Sequence, residues 1–88
     1  MRAPPVRVTV KLYATLGAWL PPGAVRNVAP FELPDGSSVA EAIERLGVPP
    51  GQVHLVLVNG QFVAPEARAG RRLAADDALA LWPPVAGG

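Results

Sequence analysis

The most distinctive chemistry of the chain lies at its C-terminal end, where Pro83-Pro84-Val85-Ala86 precede two glycines. The carboxylate of Gly88 is carried on residues without side chains, so it can enter a narrow channel of another protein. The two prolines fix their φ angles and donate no hydrogen bond, which favours an extended and unpaired segment. Residues 83–88 can span at most ~20 Å in this form. The pattern predicts a carboxylate held away from the folded body.

Few other side chains could carry catalysis. The sequence has no cysteine, which excludes disulfides and thiolate zinc sites. His54, the single histidine, has no carboxylate or cysteine companion that would suggest a catalytic triad, so we interpret it as a solvent-facing or structural residue. Asp76 and Asp77 are adjacent and cannot share a strand or helix face, so they are predicted to be turn residues and not metal ligands.

Length and composition limit the remaining possibilities. With 88 residues, 50% of them hydrophobic and 17% charged, we expect one core-forming domain over residues 1–82, followed by the tail at 83–88. A net charge of +1 disfavours nucleic acid as a partner, and no segment approaches the ~20 apolar residues of a membrane span. We therefore expect a cytoplasmic protein. Arg68, Arg71 and Arg72 are interpreted as a solvated basic patch, with contact to an acidic partner as the alternative.

Two β-prone segments open the domain. Val6–Leu12 alternates apolar and polar residues, which is typical of a strand with one buried face. Val28–Leu33 is shorter, and Pro30 within it favours an edge position or a bulge. Together they predict an antiparallel hairpin. Its long connection contains Trp19 and Leu20, which we interpret as a lid over the core, an exposed contact being the alternative.

A single helix is predicted in the middle of the chain. Turn residues occupy positions 34–36, and Ser38 with Glu41 three residues later forms a capping box. Apolar residues then recur at i, i+3, i+4 and i+7, and Gly47 closes the segment. This spacing predicts a helix over residues 38–46.

Three further strands complete the pattern. Residues 54–59 form an apolar segment that ends in the tight-turn pair Asn59-Gly60, which predicts a central strand. Residues 61–63 return as a short strand, residues 64–75 form an irregular connection, and the last strand occupies residues 78–82. One short helix covers only one sheet. We therefore predict an α+β fold of the ubiquitin-like type, with one mixed sheet curled around the helix.

Two aromatic side chains are candidates for contact with a partner. Trp82 alternates with Leu79 and Leu81, so we predict it on the outer face as a docking anchor, with a core position as the alternative. For Phe62 the two interpretations are balanced. The predicted partner-binding set comprises Phe62, Leu81, Trp82, Pro83, Pro84, Val85, Ala86 and Gly87.

Two motifs point to a known family. One is Val58-Asn59-Gly60 with Val63 beyond it, and the other is residues 79–88, in which an apolar pair, two prolines, a valine and a small residue precede the diglycine. They resemble the ubiquitin-like sulfur carrier superfamily, namely the molybdopterin synthase small subunit and the thiamine-pathway sulfur carrier. The resemblance implies a β-grasp fold. Asp76 stands where the family has a turn glycine, so we expect it in the left-handed conformation.

The resemblance also implies a reaction at Gly88. A ubiquitin-activating-like adenylyltransferase would adenylate the Gly88 carboxylate with ATP and magnesium, and a sulfur donor would convert it to a thiocarboxylate. This chain would bind no cofactor or metal and supply no catalytic side chain. It would donate sulfur in molybdopterin biosynthesis as the small, non-catalytic subunit bound to the molybdopterin synthase large subunit.

Three other functions remain open. The chain could carry sulfur to another accepting enzyme, for thiamine thiazole, tRNA or a further product. It could be a protein modifier whose Gly88 is joined to a lysine amine, because the activation step is shared and only the nucleophile differs. Finally, it could be a small interaction module with an incidental diglycine, since chain ends are usually frayed.

Overall fold

Five strands form one mixed sheet in the computed structural model, which describes residues 4–84. The strands are β1 (Val6–Leu12), β2 (Val28–Leu33), β3 (Leu55–Val58), β4 (Gln61–Phe62) and β5 (Ala78–Trp82), in the spatial order β2-β1-β5-β3-β4. The pairs β1–β2, β3–β4 and β3–β5 are antiparallel, whereas β1 and β5 are parallel. The predicted mixed sheet is confirmed. The prediction of a central strand at 54–59 holds in part, because β3 is interior but β5 occupies the middle.

The N-terminal hairpin is present, with the predicted limits of both strands. β2 lies at the edge of the sheet, as Pro30 indicated, because the missing N–H of a proline is tolerated where no second strand needs it as a donor. Val25 and Val28 exchange backbone hydrogen bonds of 2.8 and 3.1 Å, which occupies part of the outer edge of β2. This edge is therefore poorly suited to pairing with another chain.

The helix α1 (Val39–Leu46) lies against one face of the sheet. The Ser38 hydroxyl accepts the Glu41 N–H and the Glu41 carboxylate accepts the Ser38 N–H, so the predicted capping box is complete. Gly47 follows with a φ of 86° and ends the helix in the left-handed conformation. The Ser38 N–H bond is the main cause that lowers the pKa of Glu41 below its ordinary value.

The core lies between α1 and the inner face of the sheet. It consists of aliphatic side chains that are at most 9% exposed: Val8, Val10, Leu12, Leu16, Ala29, Leu33, Val39, Ala42, Ile43, Leu46, Val48, Val53, Val56, Val58, Val63, Leu73, Leu79 and Leu81. Each fully buried leucine or valine stabilises the fold by roughly 1.5–3 kcal/mol relative to an exposed one. The sheet and the helix thus bury each other's apolar sides.

The connections cover the rest of the core. A 3-10 helix at Ala14–Trp19 follows β1, and Trp19 and Leu20 pack against the core, which confirms the predicted lid. The connection at 64–75 contains only a short 3-10 helix, Pro65–Ala67, and an isolated bridge between Ser38 and Arg72. Within residues 4–84, no helix is both long and apolar enough to cross a membrane.

Candidate functional site

The outer face of the sheet, opposite the helix, carries an apolar patch next to the tail. Val56 and Val58 of β3 point into the core, so Leu55 and Leu57 point outward and are half-buried. Leu55 lies directly opposite Trp82 of β5, and Leu57 lies directly opposite Phe62 of β4. Directly opposite residues share a sheet face. The outer apolar patch therefore comprises Tyr13, Leu55, Leu57, Phe62 and Trp82, with Tyr13 placed by its contact with Trp82.

Tyr13 and Trp82 form a stacked aromatic pair. Their ring centroids are 4.5 Å apart and their planes differ by 10°. The pair forms because β1 and β5 are parallel, with Leu12 beside Leu81, so the next residue of each strand projects to the outer face. Sequence reasoning missed Tyr13, since nothing local shows that the end of β1 meets the end of β5. A partner would find here an aromatic surface adjoining the tail.

The structure places the predicted contact residues on different faces. Trp82 is half-buried on the outer face, and Phe62 is 62% exposed there. Leu81 is 0% exposed and belongs to the core, so its prediction as a partner contact is wrong. Strand alternation is the reason, because Leu81 shares the inward face of Leu79.

One basic side chain, Lys11, lies beside the outer apolar patch. On β1, Arg7 and Lys11 alternate with core valines and therefore lie on the outer face, where Lys11 is directly opposite Ala80 of β5. Arg7 is directly opposite Glu32 of the edge strand β2. Arg7 is therefore offset by Glu32, and Lys11 alone would complement an acidic side chain at the rim of a partner's apolar surface.

The root of the tail is fixed by backbone hydrogen bonds on both sides of β5. The Tyr13 N–H donates to the Leu81 carbonyl at 3.1 Å, and the His54 N–H donates to the Trp82 carbonyl at 2.8 Å. Pro83, which is half-buried, and the exposed Pro84 follow directly. The remaining predicted tail residues, Val85, Ala86, Gly87 and Gly88, lie outside the residues that the structure describes. The chain thus leaves the sheet at the margin of the outer apolar patch.

Comparison with known proteins identifies the family. The model of the ThiS family matches residues 22–88, which is more than half of the sequence. The chain belongs to the ThiS family. A search of curated proteins gives no match. The family membership agrees with the resemblance carried by the tail motif and by Val58-Asn59-Gly60.

Solved structures show the same fold. Small archaeal modifier protein 1 of Haloferax volcanii is 29% identical, with a TM-score of 0.66, over 91% of this chain and 99% of that protein. A Pyrococcus furiosus protein assigned as a molybdopterin converting factor, subunit 1, is 24% identical, with a TM-score of 0.66 and coverage of 91% and 99%. Small archaeal modifier protein 1 from Methanosarcina acetivorans is 19% identical, with a TM-score of 0.67 and coverage of 98% and 100%. These neighbours are ubiquitin-like β-grasp proteins, and the predicted fold class is confirmed.

The ThiS family membership defines the general function of the chain. It is a ubiquitin-like sulfur carrier or modifier. Small carriers of this kind are generally non-catalytic.

The polar residues near the turns have structural roles in this ThiS-family domain. The Asn59 amide donates to Asp77 Oδ1 at 2.9 Å, and Asp77 Oδ2 accepts the Ala74 N–H at 2.8 Å. Partial burial raises the pKa of Asp77, but these two hydrogen bonds and the charge of Arg71 together outweigh burial, and the pKa lies below its ordinary value. Asp76 has a φ of 69°, so it takes the expected left-handed conformation. Among residues 4–84, no group of three histidine or acidic side chains could hold a metal ion.

Two arginines of the predicted basic patch bind the backbone of distant segments. Arg72 donates to the Gly36 carbonyl, and the Arg68 guanidinium donates to the carbonyls of Val53 and His54. His54 is exposed, as predicted. Arg68 and Arg72 thus attach the connection at 64–75 to the body of the domain, a role that depends on tertiary contacts and that sequence reasoning missed.

Proposed function

We propose that this chain is a sulfur carrier whose Gly88 carboxylate is converted to a thiocarboxylate, and that it serves as the small subunit of molybdopterin synthase. The observation that carries the proposal is the continuity of the outer apolar patch with the root of the tail at Trp82. The tail would begin next to the surface on which a partner docks, so docking would bring the tail close to that partner. Pro83 and Pro84 favour an extended path from there, and the terminal glycines permit entry into a narrow site.

The chemistry requires activation of the Gly88 carboxylate by a partner. A carboxylate oxygen attacks the α-phosphorus of magnesium-bound ATP, and pyrophosphate leaves. A sulfide sulfur then attacks the acyl carbon, and AMP leaves with the electron pair of the broken C–O bond. If the donor is a persulfide, the same attack gives an acyl disulfide. A second thiol of the donor then attacks the donor-side sulfur and breaks the S–S bond, which releases the thiocarboxylate and leaves the donor as a disulfide. The activating partner is a ubiquitin-activating-like adenylyltransferase, which supplies the acid, base and phosphate-binding groups. The chain itself contributes the reacting carboxylate, its reach and the docking surface.

The pathway is proposed from the tail sequence. Pro83-Pro84-Val85-Ala86-Gly87-Gly88 resembles the pattern of molybdopterin synthase small subunits. The thiocarboxylate would then pass its sulfur within the complex formed with the large subunit, in the cytoplasm. A carrier for thiamine thiazole, tRNA or another product would use the same activated tail.

Sulfur loading of the C-terminal peptide tests the proposal. The protein is incubated with the adenylyltransferase, ATP, magnesium and a sulfur donor, and the C-terminal peptide is examined by mass spectrometry for exchange of one oxygen for sulfur. The peptide must be isolated because oxidation of Met1 adds nearly the same mass to the whole protein. We expect loading of the unaltered chain and none after deletion of Gly88 or addition of one residue beyond it, with thermal unfolding nearly unchanged. Loading of either altered chain would refute the carrier mechanism.

A second candidate function is protein modification through Gly88. It is favoured by the 29% identity to small archaeal modifier protein 1 of Haloferax volcanii. In this function a lysine amine replaces sulfur as the nucleophile, an amide bond forms and AMP leaves. Recovery of Gly88 joined to lysine side chains of cellular proteins would support the modifier, whereas a thiocarboxylate on the free chain without such adducts would support the carrier.

A further inference from the structure

Among residues 4–84, the last backbone hydrogen bond between β5 and its neighbours is made at Trp82. The Trp82 carbonyl accepts the His54 N–H at 2.8 Å, and Pro83 and Pro84 come next. Proline has no N–H, so these two residues offer no donor to the carbonyl groups of Val53 and His54, which directly precede β3. A buried backbone carbonyl without a donor costs free energy. Val53 is buried, so its carbonyl needs a donor from another part of the chain, whereas His54 is exposed.

Arg68 supplies donors to both carbonyl groups. Its Nη1 lies 3.4 Å from the Val53 carbonyl oxygen and its Nη2 lies 3.1 Å from the His54 carbonyl oxygen. The Arg68 Nε is buried and finds no acceptor among the described residues. The guanidinium thus makes these two hydrogen bonds although its own Nε–H has no partner among the described residues. Hydrogen bonds from a charged donor are about twice as strong as neutral ones.

The backbone of Arg68 is itself anchored. Its carbonyl accepts the Ala40 N–H at 3.1 Å, in the first turn of α1. The side chain therefore connects a rigid element, the capped helix, to the peptide group that joins Val53 to His54. The carbonyl of this peptide group accepts from Arg68, and its N–H donates to the Trp82 carbonyl at the root of the tail. A continuous series of contacts runs from α1 through Arg68 and His54 to Trp82.

We propose that Arg68 is a positioning residue for the C-terminal tail, fixing the start of β3 so that the chain leaves the sheet at Trp82 in one direction. The proposal rests on the proposed function, because direction matters only if the Gly88 carboxylate must enter a partner's active site. Within residues 4–84, the side-chain hydrogen bonds of Arg68 go to Val53 and His54 and not to the outer apolar patch. Its effect should appear in catalytic turnover and not in docking.

Amide hydrogen exchange tests the structural half of the proposal without any partner. In Arg68→Gln, we expect the His54 amide to exchange about tenfold faster, on the scale of a lost charged hydrogen bond. The Asn59 amide is the internal control, because it donates to the Ala78 carbonyl at 2.9 Å at the other end of the β3–β5 pair. Its exchange should change less than twofold. Equal acceleration of both amides, or no acceleration of His54, would overturn the proposal.

Steady-state kinetics of adenylation test the functional half. Pyrophosphate release by the adenylyltransferase is measured with the unaltered chain, Arg68→Gln, Arg68→Lys and the control Arg45→Gln on the exposed face of α1. We expect kcat to fall about tenfold in both Arg68 variants with KM nearly unchanged, since misplacement of a reacting group lowers turnover. Lysine should not rescue, because one ammonium group cannot bridge two carbonyls as the planar guanidinium does. Arg45→Gln should behave as the unaltered chain.

Three results would contradict tail positioning by Arg68. Unchanged kcat would leave Arg68 with a structural role only, and a raised KM with normal kcat would make it a docking contact. Full activity of Arg68→Lys would show that charge alone suffices. If the unaltered chain is not adenylated at all, the proposed function fails, because the tail then has no active site to enter. In that case, faster exchange of the His54 amide in Arg68→Gln would still show that Arg68 fixes the start of β3.

Discussion

Truncation of Trp82 to alanine should separate the docking role of the outer apolar patch from the stability of the core. Trp82 is half-buried and stacks on Tyr13, so its removal loses an aromatic pair worth about 0.5–1.5 kcal/mol and a little buried area. We expect the free energy of unfolding to fall by about 1–2 kcal/mol. Leu81→Ala, in the adjacent core position, opens a cavity and should cost about 2–5 kcal/mol.

Binding of the partner should be weakened clearly by Trp82→Ala, although this variant loses less stability than Leu81→Ala. Loss of an anchor tryptophan typically weakens association by 1 kcal/mol or more, which is about a fivefold rise in Kd. Isothermal titration of the adenylyltransferase with Trp82→Ala measures this rise, and unfolding in urea followed by circular dichroism measures stability. Val25→Ala is the matched control, because Val25 is 72% exposed and lies beyond the opposite edge of the sheet. It should change neither quantity appreciably.

Two outcomes would refute this reasoning. An unchanged Kd for Trp82→Ala would remove the outer apolar patch from the docking surface. A loss of stability equal to that of Leu81→Ala would mean that the tryptophan behaves as a core residue. A double-mutant cycle with Tyr13→Ala checks the stacking itself, which should give a coupling of about 0.5–1.5 kcal/mol.

Two further predictions concern stability. Asp76→Gly should stabilise the domain by about 0.5–1 kcal/mol in urea unfolding. The φ of 69° at this position strains a residue that has a Cβ, and glycine keeps the backbone hydrogen bond from the N–H of residue 76 to the Arg7 carbonyl. A destabilised variant would show that the aspartate side chain is needed. Glu41 has a folded-state pKa below 4.5 because it accepts the Ser38 N–H. Its contribution is therefore present above pH 4.5 and lost as the pH falls through the folded-state pKa. Glu41→Gln should lower the thermal unfolding temperature at pH 7, and the difference from the unaltered chain should shrink in acid; a difference that is constant with pH would contradict this assignment.

Local chemistry made the helix and the turns predictable. Ser38, Glu41 and Gly47 lie within one short segment, and each acts on backbone groups a few residues away. Asn59-Gly60 likewise sets its own turn, with φ angles of 51° and 81°. The alternation in β1 and β5 correctly predicted the face of each side chain. Leu81 was nevertheless wrongly included among partner contacts, against that same alternation.

The contributions of Tyr13 and Arg68 could not be predicted, because both depend on which distant segments meet. Tyr13 reaches Trp82 only through the parallel pairing of β1 with β5, and no local pattern specifies a strand neighbour so far along the chain. Arg68 stands in a segment without periodicity, where an arginine is usually a solvated surface residue. Its partners are backbone carbonyls, which leave no signature in the sequence.

The two faces of β5 have different roles, one in the core and one on the outer surface of the sheet. Leu79 and Leu81 hold the strand in the core, so the position of β5 is set by the stability of the whole domain. The positions of Trp82 and of the prolines after it follow from the position of β5, and they contribute less to the stability of the domain than the core leucines do. Substitutions on the outer face can therefore change partner affinity without unfolding the chain, whereas a change at Leu81 should disturb both stability and the root of the tail. Under the proposed function, in which an activating enzyme and then a sulfur acceptor bind the chain, this separation allows one rigid strand to present the same surface and the same tail to each.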